Sequence, residues 1–259
     1  MTQLPAGAPA TRVHAKALRR TSFAFADERN QAALQVMAPY VGRAMPSPSL
    51  TVLVVCTGNI CRSPSAELLL GHGLEQRRQA GASAEGCAVT SAGLGCYDGW
   101  PIDPPVADLL EADGVPGWQE FRSQAVTDAL VSSADLVLTA TRAHRFRIGE
   151  RWPEAYQRTF ALGEASGLVE SGDLARLPVS FPDRGHALVG WLAEERGVRQ
   201  VPDAYDLADP HGRQPADYEQ MMTRLKHMVA VLLDAFVPAR SQSQVSSGIG
   251  VAIPLNRRV

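Results

Sequence analysis

Thr51-Val52-Leu53-Val54-Val55-Cys56-Thr57-Gly58-Asn59-Ile60-Cys61-Arg62-Ser63-Pro64 decides the fold. Thr51 to Val55 is a continuous β-branched apolar run, the pattern of a strand buried on both faces of a parallel sheet. Ser63, Pro64 and Glu67 then supply a hydroxyl cap, a proline at the first helical position and an acid in the first turn, so a helix is expected from about Ser63. The order is strand, tight loop, helix N-terminus. Such a loop turns several backbone N–H groups inward, and the helix dipole adds partial positive charge, which suits an anion and favours a thiolate on Cys56. Arg62 closes the loop with a planar guanidinium that can grip two oxygens of a tetrahedral oxyanion. The Ser63 hydroxyl is placed both to cap the helix and to donate to the sulfur.

Working outward, Ala88 to Ser91 and Leu136 to Thr139 repeat the strand pattern, and Arg158 to Leu162 fits a fourth strand. Helical stretches around Pro105 to Ala112 and Thr141 to Arg151 lie between and after them. Strands alternating with helices imply right-handed crossovers. The expected fold class is α/β, a single doubly wound domain with a four-stranded parallel sheet and helices on both faces. Tyr218, Met222, Leu225, Met228, Val229, Leu232, Leu233 and Phe236 recur at helical spacing, so Pro215 to Phe236 should be a final helix covering the sheet.

The domain is expected over residues 50–237. An N-terminal extension over 1–49 is expected to be partly disordered, with one helix from Phe23 to about Val41. Residues 164–205, with a short amphipathic helix at Gly185 to Arg196, are expected to be an insertion or lid. A mobile tail is expected over 238–259.

Composition limits the function. The formal net charge of −2 and the lack of a long basic stripe argue against nucleic acid as the main partner. No segment reaches the roughly 20 apolar residues that span a bilayer. Arg19-Arg20 is followed by Ala26-Asp27-Glu28-Arg29-Asn30 where a signal would need an apolar run. Four cysteines in 259 residues do not make a disulfide framework, and a reducing cytoplasm is expected.

The spacing Cys-x5-Arg-Ser, with the string Cys56 to Pro64 between a buried strand and a helix, resembles the low-molecular-weight protein tyrosine phosphatase family. Ser91-Ala92-Gly93 at the end of the second strand and Asp209-Pro210 before the last helix match it too. The resemblance covers roughly residues 50–163 and 205–237. It implies Cys56 as nucleophile, Arg62 as oxyanion ligand and Asp209 as general acid, with Asp206 and Asp98 as the next candidates for the acid. It further implies a phosphate loop of Thr57, Gly58, Asn59, Ile60, Cys61 and Ser63, and Cys61 as a possible disulfide partner of Cys56. Neither metal nor cofactor is implied, since Arg62 and the loop amides supply the positive charge. The implied partner is a phosphotyrosine-containing protein.

Three departures stand out. Relatives place aromatic residues after Asp-Pro, where this chain has His211 and Gly212; Tyr97 or Trp100 is then expected to wall the substrate ring. Many relatives end the third strand with aspartate, where Thr141 stands. Relatives also brace the loop asparagine with a histidine where Phe121 precedes Arg122-Ser123. Two other functions share these residues: arsenate reduction, which the early placement of Cys87 and Cys96 disfavours in its thioredoxin-linked form, and phosphate binding without turnover.

Overall fold

The computed structural model describes residues 49–199, 201–202 and 205–238. The helix expected at Phe23 to Val41, the rest of the N-terminal extension and nearly all of the tail lie outside the described residues.

Four strands, β1 (Leu50–Cys56), β2 (Cys87–Gly93), β3 (Leu136–Thr139) and β4 (Thr159–Ala161), form one sheet in the order β2-β1-β3-β4. Every pairing is parallel, with Cys56 opposite Gly93 and Val55 opposite Thr139. The helices are α1 (Arg62–Gln79), α2 (Pro104–Ala112), α3 (Asp128–Ser133), α4 (Arg142–Arg151), α5 (Leu162–Ser171), α6 (Asp183–Val198) and α7 (Pro215–Phe236), with a 3-10 turn at Pro153–Arg158.

Alternation along β1 sends its side chains to two cores. Val52 and Val54 join Leu136, Leu138 and Phe160 beneath α1, α2, α5, α6 and α7, while Leu53, Val55 and Val137 meet Val131, Ile148 and Trp152 from α3, α4 and the segment after it. Both faces are therefore covered, which accounts for the unbroken apolar run at 52–55. On α7 the buried stripe includes Tyr218, Met221, Met222, Leu225, Met228, Val229, Leu232 and Phe236. Each such side chain contributes roughly 1.5–3 kcal/mol when fully buried, so the methionines here are core.

The expected start of the helix after the loop needs correction. Helix α1 begins at Arg62, one residue early, with Cys61 at the cap position, no side-chain cap and no acid in its first turn. The Ser63 hydroxyl is not spent on the helix; it faces the Cys56 sulfur instead. Helix α5 spans residue 164 and packs into the larger core through Leu162, Ala165 and Leu168.

The direction of winding reverses at β1: the first crossover moves to β2 on one side, and the next returns past β1 to β3 on the other. Ligands of open α/β sheets bind at the carboxyl ends of strands where such a switch occurs. Cys56 is the last residue of β1.

Candidate active site

Residues 56–62 wrap a hollow of about 110 Å³ lined by Cys56, Thr57, Gly58, Ile60, Cys61, Arg62, Asp209 and His211. That is several times the roughly 30 Å³ share of one water, and enough for a tetrahedral anion. Four of the loop's carbonyls are engaged by neighbouring backbone: Cys56 O accepts from Leu94 N–H, Thr57 O from Gly95 N–H, Ile60 O from Asp103 N–H and Cys61 O from Ser65 N–H. Gly93 permits this close approach, since a Cβ there would lie 2.7 Å from Thr57 O. Among the loop amides, Asn59 N–H donates to Cys56 Sγ.

Cys56 Sγ lies 3.0 Å from Ser63 Oγ and accepts from Asn59 N–H at 3.3 Å. Asn59 has φ of 52°, a left-handed conformation that asparagine tolerates better than most residues. Its buried side chain holds the turn in place. Nδ2 donates to Ser63 Oγ at 2.9 Å and to Ser91 Oγ at 2.8 Å, while Oδ1 accepts from Gln124 N–H at 2.8 Å. Both serine hydroxyls thus accept from Asn59 and donate elsewhere; Ser63 Oγ has Cys56 Sγ at 3.0 Å and Ala92 O at 3.4 Å as acceptors. Ser91 Oγ donates to Glu67 at 2.6 Å, and burial pushes the Glu67 carboxyl up while that hydrogen bond opposes the shift. The brace that relatives draw from a histidine comes here from Gln124 and Ser91.

Arg62 is buried. Its Nη1 donates to Leu207 O at 3.3 Å and its Nη2 pairs with Asp209 Oδ2. Its Nε is buried without a hydrogen-bond partner. A buried guanidinium donor left unmade is costly, and an oxyanion in the adjoining hollow would satisfy it.

The Asp209 segment is tied to the end of β3. Leu207 N–H donates to Ala140 O at 3.0 Å, and Arg142 N–H donates to the Asp206 carboxylate at 3.1 Å. Asp206 thus has a fixed partner at the start of α4, and Asp98 accepts from Ala125 N–H at 2.7 Å. Beyond Pro210, His211 Nδ1 lies 3.0 Å from Asp103 Oδ2, which also accepts from Tyr218 O–H at 2.8 Å and Cys61 S–H at 3.3 Å. Burial pushes Asp103 up, but the bonds from His211, Tyr218 and Cys61 outweigh it and hold the carboxyl below its usual range. Burial, then Asp103, drives the Cys61 thiol upward, and the same two causes push Tyr218 up to about 12. Cys61, Asp103 and His211 bring one potential metal donor each within 4.8 Å of one another.

Of the expected ring walls, only His211 lines the hollow. Tyr97 and Trp100 are exposed and are not among its lining residues, although the Ser123 hydroxyl fixes their backbone by donating to Tyr97 O and accepting from Trp100 N–H. Cys56 and Cys61 are both free thiols.

One residue at the site escaped the sequence reading. His144, buried on α4, places Nε2 2.9 Å from Thr57 Oγ1 and Nδ1 2.8 Å from Thr141 Oγ1. Thr141 also caps α4 by accepting from His144 N–H. Burial, then the positive charge of Arg62, lowers His144 to about 4, so it is neutral at physiological pH. The threonine that replaces the relatives' aspartate thus positions a neutral imidazole against the loop.

A profile of the family described as low molecular weight phosphotyrosine protein phosphatase matches residues 51–170. The probable low molecular weight protein-tyrosine-phosphatase EpsP of Ralstonia nicotianae is 30% identical over 188 residues, covering 73% of this chain and 94% of its own. The chain belongs to the low-molecular-weight protein-tyrosine-phosphatase family. A second relative within the similarity range, the protein-arginine-phosphatase of Geobacillus stearothermophilus, is 34% identical, covering 48% of this chain and 76% of its own. The solved structure of YwlE arginine phosphatase from Geobacillus stearothermophilus superposes with a TM-score of 0.51 at 25% identity, over 71% of this chain and 91% of that one. Membership makes the chain a cysteine-based hydrolase. Among the described residues, no helix is long and apolar enough to cross a membrane.

Proposed function

We propose that the protein hydrolyses phosphotyrosine in proteins through a phosphocysteine intermediate. The observation carrying this reading is that Cys56, Arg62 and Asp209 line one hollow, with a buried Arg62 donor left for an oxyanion. The Cys56 thiolate attacks phosphorus, forming the S–P bond as the P–O bond breaks, and Asp209 delivers its proton to the departing phenolate. Arg62 and the amides of Thr57, Gly58, Asn59, Ile60, Cys61 and Ser63 stabilise the equatorial oxygens. Asp209 then takes a proton from water, whose oxygen attacks phosphorus. The S–P bond breaks, and the leaving thiolate is stabilised by the Ser63 hydroxyl. The four free thiols fit a reducing cytoplasm.

Phosphate release from phosphotyrosine and phosphoserine peptides, measured beside arsenate-dependent thiol consumption, tests this. Release from phosphotyrosine alone is expected; thiol consumption without phosphate release would favour arsenate reduction. The relative named a protein-arginine-phosphatase supports a second reading, cleavage of phosphoarginine, and a phosphoarginine-labelled protein in the same assay separates the two.

A further inference from the structure

A second cavity is lined by residues other than those of the phosphate loop. It has a volume of about 590 Å³, and four arginines line it with a single carboxylate: Arg142 and Arg145 of α4, Arg196 of α6 and Arg199 just beyond it, together with Glu164 of α5. Tyr156 stands on its wall, 43% exposed.

These cations are held stiffly. Arg145 Nη1 donates to Glu164 Oε1 at 2.6 Å, and both side chains are nearly buried. The second Glu164 oxygen accepts from Ala161 N–H. Arg145 Nε is buried with no hydrogen-bond partner. Arg196 is stacked between Tyr156 and Phe160, its guanidinium carbon 4.7 and 4.6 Å from the ring centres, and it donates to the carbonyls of Thr159 and Tyr156. Those carbonyls satisfy hydrogen bonds without cancelling charge. Burial lowers the affinity of Arg196 for its proton; Glu164 opposes this and the like charge of Arg145 adds to it. Arg199 pairs with Glu195 and donates to Ser171 O.

Like charges gathered in a partly desolvated cavity repel, and a structural role for each arginine does not explain why all four face one space. Guanidinium forks suit phosphoryl oxygens held bidentately. The volume is within the range of small-molecule sites, roughly 300–1,000 Å³, and about five times that of the catalytic hollow. We infer that this cavity is a second anion site, taking a ligand with a diphosphate group, either inorganic pyrophosphate or a nucleoside diphosphate whose base reaches Tyr156. The site adjoins the segment that leads to Asp209: Arg142 lines it with its side chain, donating to Val201 O, while its backbone N–H holds Asp206.

Calorimetric titration of inorganic pyrophosphate and of ADP into full-length protein, with the catalytic loop saturated by vanadate, tests the assignment. One equivalent of pyrophosphate is expected to bind. Affinity should fall by at least about tenfold in Arg196→Gln and Arg199→Gln, as the loss of a charged hydrogen-bond partner implies, with p-nitrophenyl phosphate turnover retained. Arg199 is a surface residue, so its variant carries the comparison if Arg196→Gln does not fold. Tighter binding of ADP than pyrophosphate would assign the site to a nucleotide, and equal binding to the diphosphate alone. Failure of both to bind vanadate-loaded wild type, or unchanged affinity in the folded variants, would overturn the inference.

Discussion

Arg62 and Asp209 are ion-paired across the mouth of the phosphate loop, the arginine buried and the aspartate side chain 46% exposed. The pair occupies a guanidinium nitrogen that an incoming phosphoryl group needs, so anion binding and the Asp209 contact compete. Asp209→Asn removes the competing charge. Inorganic phosphate or vanadate should then inhibit p-nitrophenyl phosphate cleavage at about two- to fivefold lower concentration, the scale of a partly exposed pair. An unchanged or weaker inhibition constant would show that the pair does not hold Arg62 back.

The same variant separates leaving groups. A phenolate whose conjugate acid has a pKa near 10 needs a proton as the P–O bond breaks, and p-nitrophenolate needs it less. Phosphocysteine formation from a phosphotyrosine peptide should slow by roughly 10²–10⁴-fold, the usual contribution of general acid catalysis, and clearly less from p-nitrophenyl phosphate. Equal losses in single-turnover measurements would leave Asp209 as a turn residue. Asp206 would be a poor replacement, because α4 already holds its carboxylate.

Asn59 fixes the loop through three side-chain hydrogen bonds, two of them buried, and a positive φ. Asn59→Ala should lose roughly 1–3 kcal/mol for the partners left unsatisfied and lower kcat more than it raises KM, since the loop amides lose their alignment. Urea unfolding and steady-state kinetics read the two effects. A variant with normal kcat would remove Asn59 from the positioning role.

His144 sets a pH dependence of stability. Its value in the fold, about 4, lies below the ordinary 6.5, so between these limits the unfolded chain binds a proton that the native chain does not. The stabilisation is complete above about pH 6.5 and is lost as pH falls towards 4. A drop of that size corresponds to at most about 3 kcal/mol. Melting temperature measured across this window should fall with acid in the wild type and fall less in His144→Gln. Parallel profiles would contradict the assignment.

His211 replaces the aromatic wall and stands on the rim, its side chain 60% exposed. His211→Tyr should lower KM for phosphotyrosine peptides by roughly two- to tenfold, matching about 0.5–1.5 kcal/mol for an aromatic pair, and change KM for an alkyl phosphate little. A uniform change for both substrates would argue against ring stacking.

The sheet and its cysteine loop were legible because β1 carries an apolar run followed by residues with strong local preferences, and α7 because its buried positions recur every three or four residues. Helix α5 was harder to read. Gly163 and Gly167 weaken helical propensity and are there for packing: a Cβ on Gly163 would lie 1.9 Å from Tyr205 O. The fate of the Ser63 hydroxyl was ambiguous in sequence, since a cap and a sulfur contact call for the same residue. His144 gave no local signal, because its partner Thr57 is 87 positions away. The parallel pairing of β1 with β3 brings them together.

The proposed chemistry stands on Cys56 as the nucleophile. Acid-quenched reaction of the wild type with a phosphotyrosine peptide, followed by peptide mapping, measures it most directly. Phosphate should be found covalently bound to Cys56 within the first turnover, and it should be absent in Cys56→Ser, which should still bind vanadate through Arg62 and the loop amides. Turnover by Cys56→Ser near the wild-type rate, or phosphate trapped on another residue, would mean that Cys56 is not the nucleophile.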